Sequence, residues 1–337
     1  MRNTLFGFLI LLTALGCTAN RLPILKQEDV SSDAATPKAI QVQYLGSSGF
    51  VIRRGSDVIL AAPFFTNPSL CRIIFGRIKA DKKKVDEVLG PLELKKVKAI
   101  LVGHAHLDHL MDVPCAAGHC AKAVTIYGSK SMINILSAED ANLPKEAKLG
   151  EVEAGKWVRI EGTQIRFMAI ESEHSPHILG IKFSSGKVKT KLSRLPRRAC
   201  NWKEGQTYAY VIDFLGDDGE TVDFRIHFQD AASGPSLGSS PQFNAPADRK
   251  QVDLCIMCVA AFEQVKHYPE TIIRELKPRY VILGHWENFF ASWTDDPKRL
   301  RHVPFTDPRR FIKRLEKVLP KGSKWYLPAP KVTMDFP

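Results

Sequence analysis

The segment from residue 103 to residue 109 reads Gly-His-Ala-His-Leu-Asp-His and follows directly on an apolar run. Histidine supplies only 10 of the 337 residues, so three of them in one short segment is not a random placement. Residues two apart at the end of a strand project to the same side, so His104 and His106 can converge on one point. The chain then turns, which places Asp108 and His109 beside them. The segment predicts a strand that ends in clustered metal-ligand side chains.

Three more residues that can bind a metal ion follow short apolar runs in the same way: His174, Asp230 and His285. A scatter of ordinary core histidines would not repeat this arrangement along the chain. Neutral imidazole and carboxylate groups suit zinc, and also manganese or iron. We therefore predict two divalent ions, with zinc as the first choice, held by ligands from four separate stretches.

Several neighbours compete for these roles. His177 is the alternative to His174 and is otherwise a candidate substrate contact or proton donor. Two aspartates that we expect to end or face a strand are the alternatives to Asp230, namely Asp213 and Asp223. His227 lies in the middle of a strand and is expected in the core. We expect the remaining histidines on the surface: His119, His267 and His302.

Short strands mixed with helices extend through most of the chain and predict a layered α/β domain. The predicted strands are 40–45, 50–53, 58–61, 99–103, 124–127, 158–160, 165–170, 208–214, 221–229, 254–260 and 280–283. The predicted helices are 129–137, 269–276 and 308–318, and the charged segment 75–97 is expected to be helix or loop.

The N-terminus differs from the rest of the chain. A short positive start and an apolar run that ends at Leu15 are followed by Gly16-Cys17. The run has the length of a signal-peptide core and is too short to span a bilayer as a helix. A cysteine in this position resembles a bacterial lipobox, which implies an exported protein anchored to the membrane, on the periplasmic or cell-surface side, through a lipidated Cys17. An ordinary signal peptide is the alternative. We assign 1–17 to this signal and 18–38 to a flexible tether, and we expect folded structure from Ala39.

Six further cysteines could form disulfides in an exported protein. Cys255 and Cys258 lie in an apolar run and are expected as buried thiols. Cys115 and Cys120 flank Gly118-His119 and are the better candidates for a bridge.

The order His-x-His-x-Asp-His, then His, Asp and His, resembles the metallo-β-lactamase superfamily. The resemblance covers residues 39–327, and it implies a four-layer αββα sandwich across 39–337. It also implies that His104, His106 and His174 bind one ion, that Asp108, His109 and His285 bind the other, and that Asp230 bridges the two. Within the superfamily, Tyr-Leu-Gly-Ser-Ser-Gly-Phe at 44–50 and Gly284-His285-Trp286 are most similar to the branch of the ascorbate-phosphate lactonases and N-acyl-phosphatidylethanolamine phospholipase D enzymes.

Two features bear on this resemblance. The branch usually has an aspartate before proline at the end of an early strand, where this chain has Ala62. Loss of such a supporting group weakens a metal site rather than abolishing it. The presence of Asp230 argues against antibiotic hydrolysis, because true lactamases generally lack a bridging aspartate there.

Two adjacent divalent ions lower the pKa of a shared water and polarise a carbonyl or phosphoryl group. The resemblance thus implies a binuclear hydrolase in which a hydroxide bridging the ions is the nucleophile. Asp108 is its candidate catalytic residue for orienting that hydroxide or accepting its proton, and His177 is a second candidate.

The net charge of +12 favours anionic partners. Seven basic residues and no acid lie between 187 and 203: Lys187, Lys189, Lys191, Arg194, Arg197, Arg198 and Lys203. We expect this run to form a loop near the metal ions, with Trp202 offering an apolar or stacking surface; a solvated basic loop is the alternative. Few aromatic residues are interleaved with the run, which disfavours nucleic acid.

The leading hypothesis is a membrane-anchored hydrolase of an anionic ester, either a phosphodiester or a phospholipid-like molecule. A lactonase or carboxylic-ester hydrolase is the alternative within enzymes. A metal-binding lipoprotein without catalytic turnover is the alternative of another class.

Overall fold

The computed structural model describes residues 22–30, 38–241 and 249–337. The predicted signal peptide, its lipobox and Cys17 lie outside these residues. The described chain forms two seven-stranded mixed β-sheets. The first sheet contains β1 (Ile40–Gly46), β2 (Gly49–Arg54), β3 (Asp57–Ala61), β4 (Val97–Leu101), β5 (Thr125–Gly128), β6 (Lys148–Glu151) and β14 (Thr333–Phe336), in the order β14-β1-β2-β3-β4-β5-β6.

The second sheet contains the strands of the C-terminal half. These are β7 (Trp157–Arg159), β8 (Ile165–Ser172), β9 (Thr207–Leu215), β10 (Val222–Phe228), β11 (Leu254–Cys258), β12 (Tyr280–Gly284) and β13 (Lys324–Tyr326), in the order β13-β12-β11-β10-β9-β8-β7. Strands β10 to β13 run parallel to one another, and so do β3 to β6 of the first sheet. Parallel strands bring their C-terminal ends to one edge of a sheet, which is where ligand-binding residues collect in such folds.

Helices cover the outer faces of both sheets. They are α1 (Leu70–Phe75), α2 (Lys82–Leu89), α3 (Leu107–Leu110), α4 (Val113–Ala117), α5 (Lys130–Leu136), α6 (Glu270–Leu276) and α7 (Pro308–Glu316). The helices α2 to α5 pack on the first sheet, and α6 and α7 pack on the second. The molecule is therefore an αββα sandwich, as the resemblance implies.

The alternation of side chains along the strands separates the layers. In β3, Ile59 belongs to the core between the two sheets, whereas Val58 and Leu60 pack under the helices. In β4, Ala99 and Leu101 face the opposite sheet. A strand buried on both faces reads as a continuous apolar run, which explains why these strands are recognisable in the sequence.

Residues 22–30 lie against the domain. The amide of Leu25 donates to Leu327 O (2.8 Å), and the amide of Ala329 donates to Leu25 O (2.9 Å). Leu22, Ile24 and Val30 also pack on the core between the sheets. The described part of the predicted tether is therefore docked on the domain rather than free of it, because its apolar residues find a partly buried site.

The six described cysteines are unbonded, so the bridge expected between Cys115 and Cys120 is not present. Cys120 is buried and its thiol donates to Ala116 O, which holds it within its own turn. Cys255 and Cys258 are buried thiols, as expected. Among the described residues, no helix is both long enough and apolar enough to cross a bilayer.

Candidate metal centre

The seven predicted ligands converge at one edge of the two sheets. His104, His106, Asp108 and His109 follow β4 of the first sheet, and the last two lie in α3. The other three follow strands of the second sheet: His174 after β8, Asp230 after β10 and His285 after β12. The site therefore lies where the C-terminal ends of strands from both sheets meet.

Potential ligand atoms within 4.8 Å of one another define three groups. The first is His104, His106 and His174, and the second is Asp108, His109 and His285. The third joins Asp230 to His104 and His109, one residue from each of the other groups. Asp230 thus stands between the two histidine groups, as the resemblance implies for a bridging residue.

Several ring nitrogens in these groups are buried and have no hydrogen-bond partner: Nε2 of His104, Nε2 of His106, both nitrogens of His109 and Nδ1 of His285. Buried polar atoms are almost always paired in proteins, so a cluster of unpaired ones needs an explanation. Neutral imidazole nitrogens and carboxylates are the donor set that divalent zinc, manganese or iron uses. The residues present therefore fit such ions.

Burial determines the charge states of the first group. It lowers the pKa of His106 to about 3 and the pKa values of His104 and His174 well below the ordinary value. The three imidazoles are accordingly neutral near pH 7, the state that binds a cation.

In the second group, interactions between charges outweigh burial for Asp108 and His109. Burial alone would raise the pKa of Asp108, but the neighbouring His109 and His285 outweigh it and hold that pKa well below its ordinary value. Burial likewise would lower the pKa of His109, but the carboxylates of Asp108 and Asp230 outweigh it and raise that pKa. A carboxylate already ionised in a buried site is suited to a cation.

Backbone contacts orient two of the ligands. The Gly103 amide donates to the carboxylate of Asp230 (3.0 Å), and Nδ1 of His104 lies 3.1 Å from the same carboxylate. A Cβ atom at position 103 would overlap this carboxylate, so glycine is required for the close approach. In His174, Nδ1 lies 2.6 Å from Ser175 O and donates to it, which leaves Nε2 free to bind.

A buried network holds the loop that carries His285. The amide of His285, which has a positive φ of 53°, donates to Ser47 O (2.6 Å) and to the Tyr44 hydroxyl (3.1 Å). The carboxylate of Glu287 accepts from that hydroxyl and from the Ser47 amide. Burial raises the pKa of Glu287. The turn between β1 and β2 therefore fixes His285 through its backbone.

The sequence did not point to Glu287. Its acceptor role depends on Tyr44, which lies 243 residues earlier in the chain, and no local pattern links the two. The only available signal was its position two residues after a predicted ligand.

His177 lies beside the first group without belonging to it. Its ring stacks on that of His174, with 4.6 Å between centroids, and lies 5.5 Å from that of His106. The Phe183 amide donates to Nδ1 of His177 (3.1 Å), so the ring proton of the neutral form is on Nε2. Burial lowers the pKa of this ring. His177 is therefore placed to donate a hydrogen bond at the site.

The basic run at 187–203 forms a loop beside the site. The amide of Ala105, within the histidine motif, donates to Glu204 O at the end of this loop (2.8 Å). All its basic side chains are exposed except that of Lys203, which is partly buried. Trp202, however, is buried in the core under the helices, and its indole nitrogen donates to Pro196 O. The expectation that Trp202 offers a surface to substrate is therefore wrong, because the ring packs inward to fill the core.

The remaining candidates fall outside the centre. Asp213 is buried and pairs with Arg225, and Asp223 is exposed and pairs with Arg54. His227 is a core residue whose Nε2 donates to Gly238 O (2.6 Å). His119 is partly buried and pairs with Asp86, and His267 is exposed.

His302 is buried, so its predicted surface position is wrong. It forms a β-bridge with Glu287 in the loop after β12. Residue type alone could not reveal this non-local pairing.

Ala62, in the place where the implied branch has an aspartate, is fully buried, and its amide donates to Leu101 O (3.0 Å). A different buried carboxylate, that of Asp112, accepts from the amides of Phe65 and Thr66 just downstream. Asp112, directly before α4, thus fixes the backbone of the segment after β3.

Comparisons with known proteins agree with the fold. Residues 67–222 match the family model described as a β-lactamase superfamily domain, and no curated protein sequence matches the chain. Igni18, a metallo hydrolase from the archaeon Ignicoccus hospitalis, is similar with TM-score 0.54 and 14% identity over 89% of this chain and 99% of that one. The metallo-β-lactamase fold protein YhfI from Bacillus subtilis is similar with TM-score 0.51 and 12% identity over 88% and 100%. The chain described here has the metallo-β-lactamase fold.

Proposed function

We propose that this chain is a hydrolase that depends on two divalent metal ions, held by His104, His106 and His174 and by Asp108, His109 and His285, with Asp230 between them. The observation that carries the proposal is the convergence of these residues, five of whose buried ring nitrogens have no hydrogen-bond partner. Ions bound here would lower the pKa of water towards neutrality and polarise a scissile ester.

The chain's own residues complete the chemistry. Asp108 is ionised and largely buried, so it can orient a water molecule or accept its proton. His177 presents Nε2–H beside the first histidine group, where it can hydrogen bond to a substrate oxygen. The Phe183 amide fixes the tautomer that makes this donation possible.

We propose an anionic ester as the substrate, of the phosphodiester or phospholipid-like class. The exposed basic side chains of the 187–203 loop support this, because the loop ends against the backbone of the histidine motif. A positive rim attracts an anionic substrate and raises its local concentration. The resemblance of 44–50 and 284–286 to the branch of the phospholipase D enzymes and ascorbate-phosphate lactonases points the same way.

The N-terminal sequence supports a location at a membrane. We propose that residues 1–17 direct export and that Cys17 carries the lipid anchor, because a short apolar run before Gly16-Cys17 has the pattern of a lipobox. Mass spectrometry of the protein purified from its host membrane tests this. An acylated Cys17 at the mature N-terminus is the expected result, and cleavage elsewhere contradicts it.

A substrate panel tests the proposed activity. Purified chain loaded with zinc or manganese is assayed against bis-p-nitrophenyl phosphate, a phospholipid, simple lactones and a carboxylic ester. We expect turnover of the phosphodiesters. Preference for lactones or carboxylic esters would favour the alternative enzyme class instead.

Two variants identify the site responsible. His106→Ala should lose bound metal and activity together, whereas the exposed His267→Ala serves as the matched control and should keep both. A metal content that is unchanged in His106→Ala contradicts the assignment of the site. Wild-type protein that binds metal and hydrolyses nothing on the panel supports a non-catalytic metal-binding protein.

A further inference from the structure

A tight turn beside the candidate metal centre carries an unusual amount of apolar surface. Leu179, Ile181 and Phe183 are 77%, 52% and 50% exposed, and they are three of the five exposed large hydrophobic residues in the described chain. The turn begins at His177, whose amide donates to Ile181 O (2.9 Å), and Ile181 N donates to Ile178 O (2.8 Å). These contacts hold the three side chains outward at the edge of the site.

Leu179 is an unfavourable residue for its own position. Its φ is 46° and that of Gly180 is 76°, so both central residues of the turn have left-handed backbone. Glycine, asparagine and aspartate adopt this conformation readily, whereas a leucine adopts it at a cost. The turn therefore has a strained residue whose side chain also lies in water. Neither property favours the isolated fold, and both are consistent with a contact outside the chain.

The shape of the turn excludes a small-molecule pocket. Leu179 lies at the tip of a two-residue turn, and the exposed Ile181 and Phe183 follow it, so the segment projects from the surface, whereas ligand pockets are concave and enclose their ligand. A projecting cluster of aliphatic and aromatic side chains suits insertion into a deformable apolar phase. The boundary between lipid headgroups and acyl chains is such a phase.

Positive charge lies in this turn and follows it in the chain. Lys182 lies within the turn and is exposed. The next residue after Phe183 is Ser184, whose carbonyl accepts from the Glu204 amide (3.0 Å) and whose hydroxyl donates to Ala199 O (3.2 Å). The basic run at 187–203 therefore begins shortly after the turn, and its C-terminal end lies beside Ser184. Lysine and arginine near a bilayer surface are attracted to anionic lipid headgroups.

We infer that the turn at 178–183 and the basic loop at 187–203 together form a docking surface for an anionic lipid bilayer. Leu179, Ile181 and Phe183 enter the boundary of the acyl region, and the lysines and arginines contact the headgroups. Because the ring of Phe183 lies 5.4 Å from that of His177, docking turns the candidate metal centre towards the bilayer. The inference goes beyond the proposed hydrolysis and requires no turnover.

Local fluorescence tests the insertion directly. In the full chain, Leu179→Trp is compared with Lys313→Trp, an exposed position on α7 over the second sheet. Vesicles of phosphatidylcholine, with and without phosphatidylglycerol, carry brominated acyl chains that quench an inserted indole. We expect quenching of the Leu179→Trp signal, stronger with phosphatidylglycerol and weaker at high salt, and none of the Lys313→Trp signal. The signal of each variant is the difference from the wild-type chain, which has five tryptophans of its own. This difference is local, so tethering by another part of the chain does not produce it.

A second variant separates docking from folding. Phe183→Trp serves as the reporter, with and without Leu179→Asn. Asparagine tolerates the left-handed backbone, so the thermal midpoint should stay level or rise, while quenching falls at least about threefold because an apolar anchor is lost. Unchanged quenching in this pair, or equal quenching at 179 and 313, overturns the inference. A Leu179→Trp indole that becomes shielded in the absence of vesicles as protein concentration rises also overturns it, because a second copy then covers the turn. None of these outcomes bears on the proposed hydrolysis, which the substrate panel tests.

Discussion

Glu287 illustrates how a residue outside the ligand set can control one of the ligands. Its carboxylate accepts from the Tyr44 hydroxyl and the Ser47 amide, and both of these residues also bond to the backbone amide of His285. The geometry of His285 therefore depends on a buried acceptor that belongs to none of the three potential ligand groups. Such supporting groups usually change metal affinity by about 10- to 100-fold when they are removed.

We predict that Glu287→Ala lowers metal affinity at the group formed by Asp108, His109 and His285 by about 10-fold or more. The reason is that the Ser47 amide and the Tyr44 hydroxyl lose their acceptor and the loop at 285 loosens. Calorimetric titration of the metal-free protein measures this as a weakened second binding event. Glu287→Gln keeps a carbonyl oxygen and should recover much of the affinity. Equal titrations for wild type and Glu287→Ala would show that the network does not position His285.

A pH-dependent stability should arise from His227. Burial lowers the pKa of His227 to about 4, whereas an unfolded histidine titrates near about 6.5. Between these values only the unfolded chain takes up the proton. The free energy of unfolding is therefore unaffected by this group above about pH 6.5 and falls as the pH drops from there towards 4.

We expect His227→Gln to remove up to about 3 kcal/mol of this pH dependence. Urea unfolding of the metal-free protein between neutral and acidic pH measures the difference, with the exposed His267→Gln as the control. Parallel pH profiles for wild type and His227→Gln would contradict the prediction.

At the level of single residues, the sequence predicts those features that depend on the spacing of nearby residues. The ligand types and their order follow from strand ends, and the structure brings all seven together. The burial of Trp202 and His302 could not be predicted, because each depends on how distant segments pack. The same holds for the pairing of Glu287 with Tyr44.

Strand ends are the elements that build the site. β4, β8, β10 and β12 each deliver one or more ligands at the edge where the two sheets meet. Gly103, directly before His104, allows the approach of Asp230 from the opposite sheet. This contact joins the C-terminal end of β4 to the C-terminal end of β10.

We predict that Gly103→Ala displaces Asp230 and lowers metal affinity by about 10- to 100-fold while the sheets still form. The added methyl group would overlap the carboxylate, which must then move away from both histidine groups. Metal titration combined with circular dichroism measures both effects. Gly118→Ala is a suitable control, because its only close contact is Cys115 O at 3.2 Å. Full metal affinity in Gly103→Ala would argue against a bridging position for Asp230.

Eleven of the fourteen strands in the described residues could be anticipated, because apolar runs bounded by turn residues are a direct signal. The strands that were missed are β6, β13 and β14, and each lies at or next to a sheet edge. They are short, and several of their side chains are partly exposed, so they lack a clear apolar pattern. The short helices α1, α3 and α4 were missed because each is too brief to show a helical period.

At the scale of the whole molecule, the proposed ions would connect the two sheets. Four ligands belong to the segment after β4 of the first sheet, and three belong to strands of the second sheet. An ion that binds only the folded chain stabilises it by about 2.7 kcal/mol at a hundredfold excess over its dissociation constant. Metal binding should therefore stabilise the whole sandwich.

We expect a chelator to lower the thermal midpoint of the holoprotein by an amount on the order of 5 °C or more. Differential scanning calorimetry before and after chelation gives this shift, and restored zinc or manganese should reverse it. His106→Ala should show a much smaller shift, since it lacks a ligand of the first group. A wild-type midpoint that is insensitive to chelation would contradict a metal shared between the sheets.

The number of metal ions bound per chain tests the central claim most directly. Elemental analysis of the purified wild-type protein, after dialysis against metal-free buffer, should give two divalent ions per chain, and Asp230→Ala should give fewer. Wild-type protein that retains no metal, and takes up none when zinc, manganese or iron is supplied, would contradict the account.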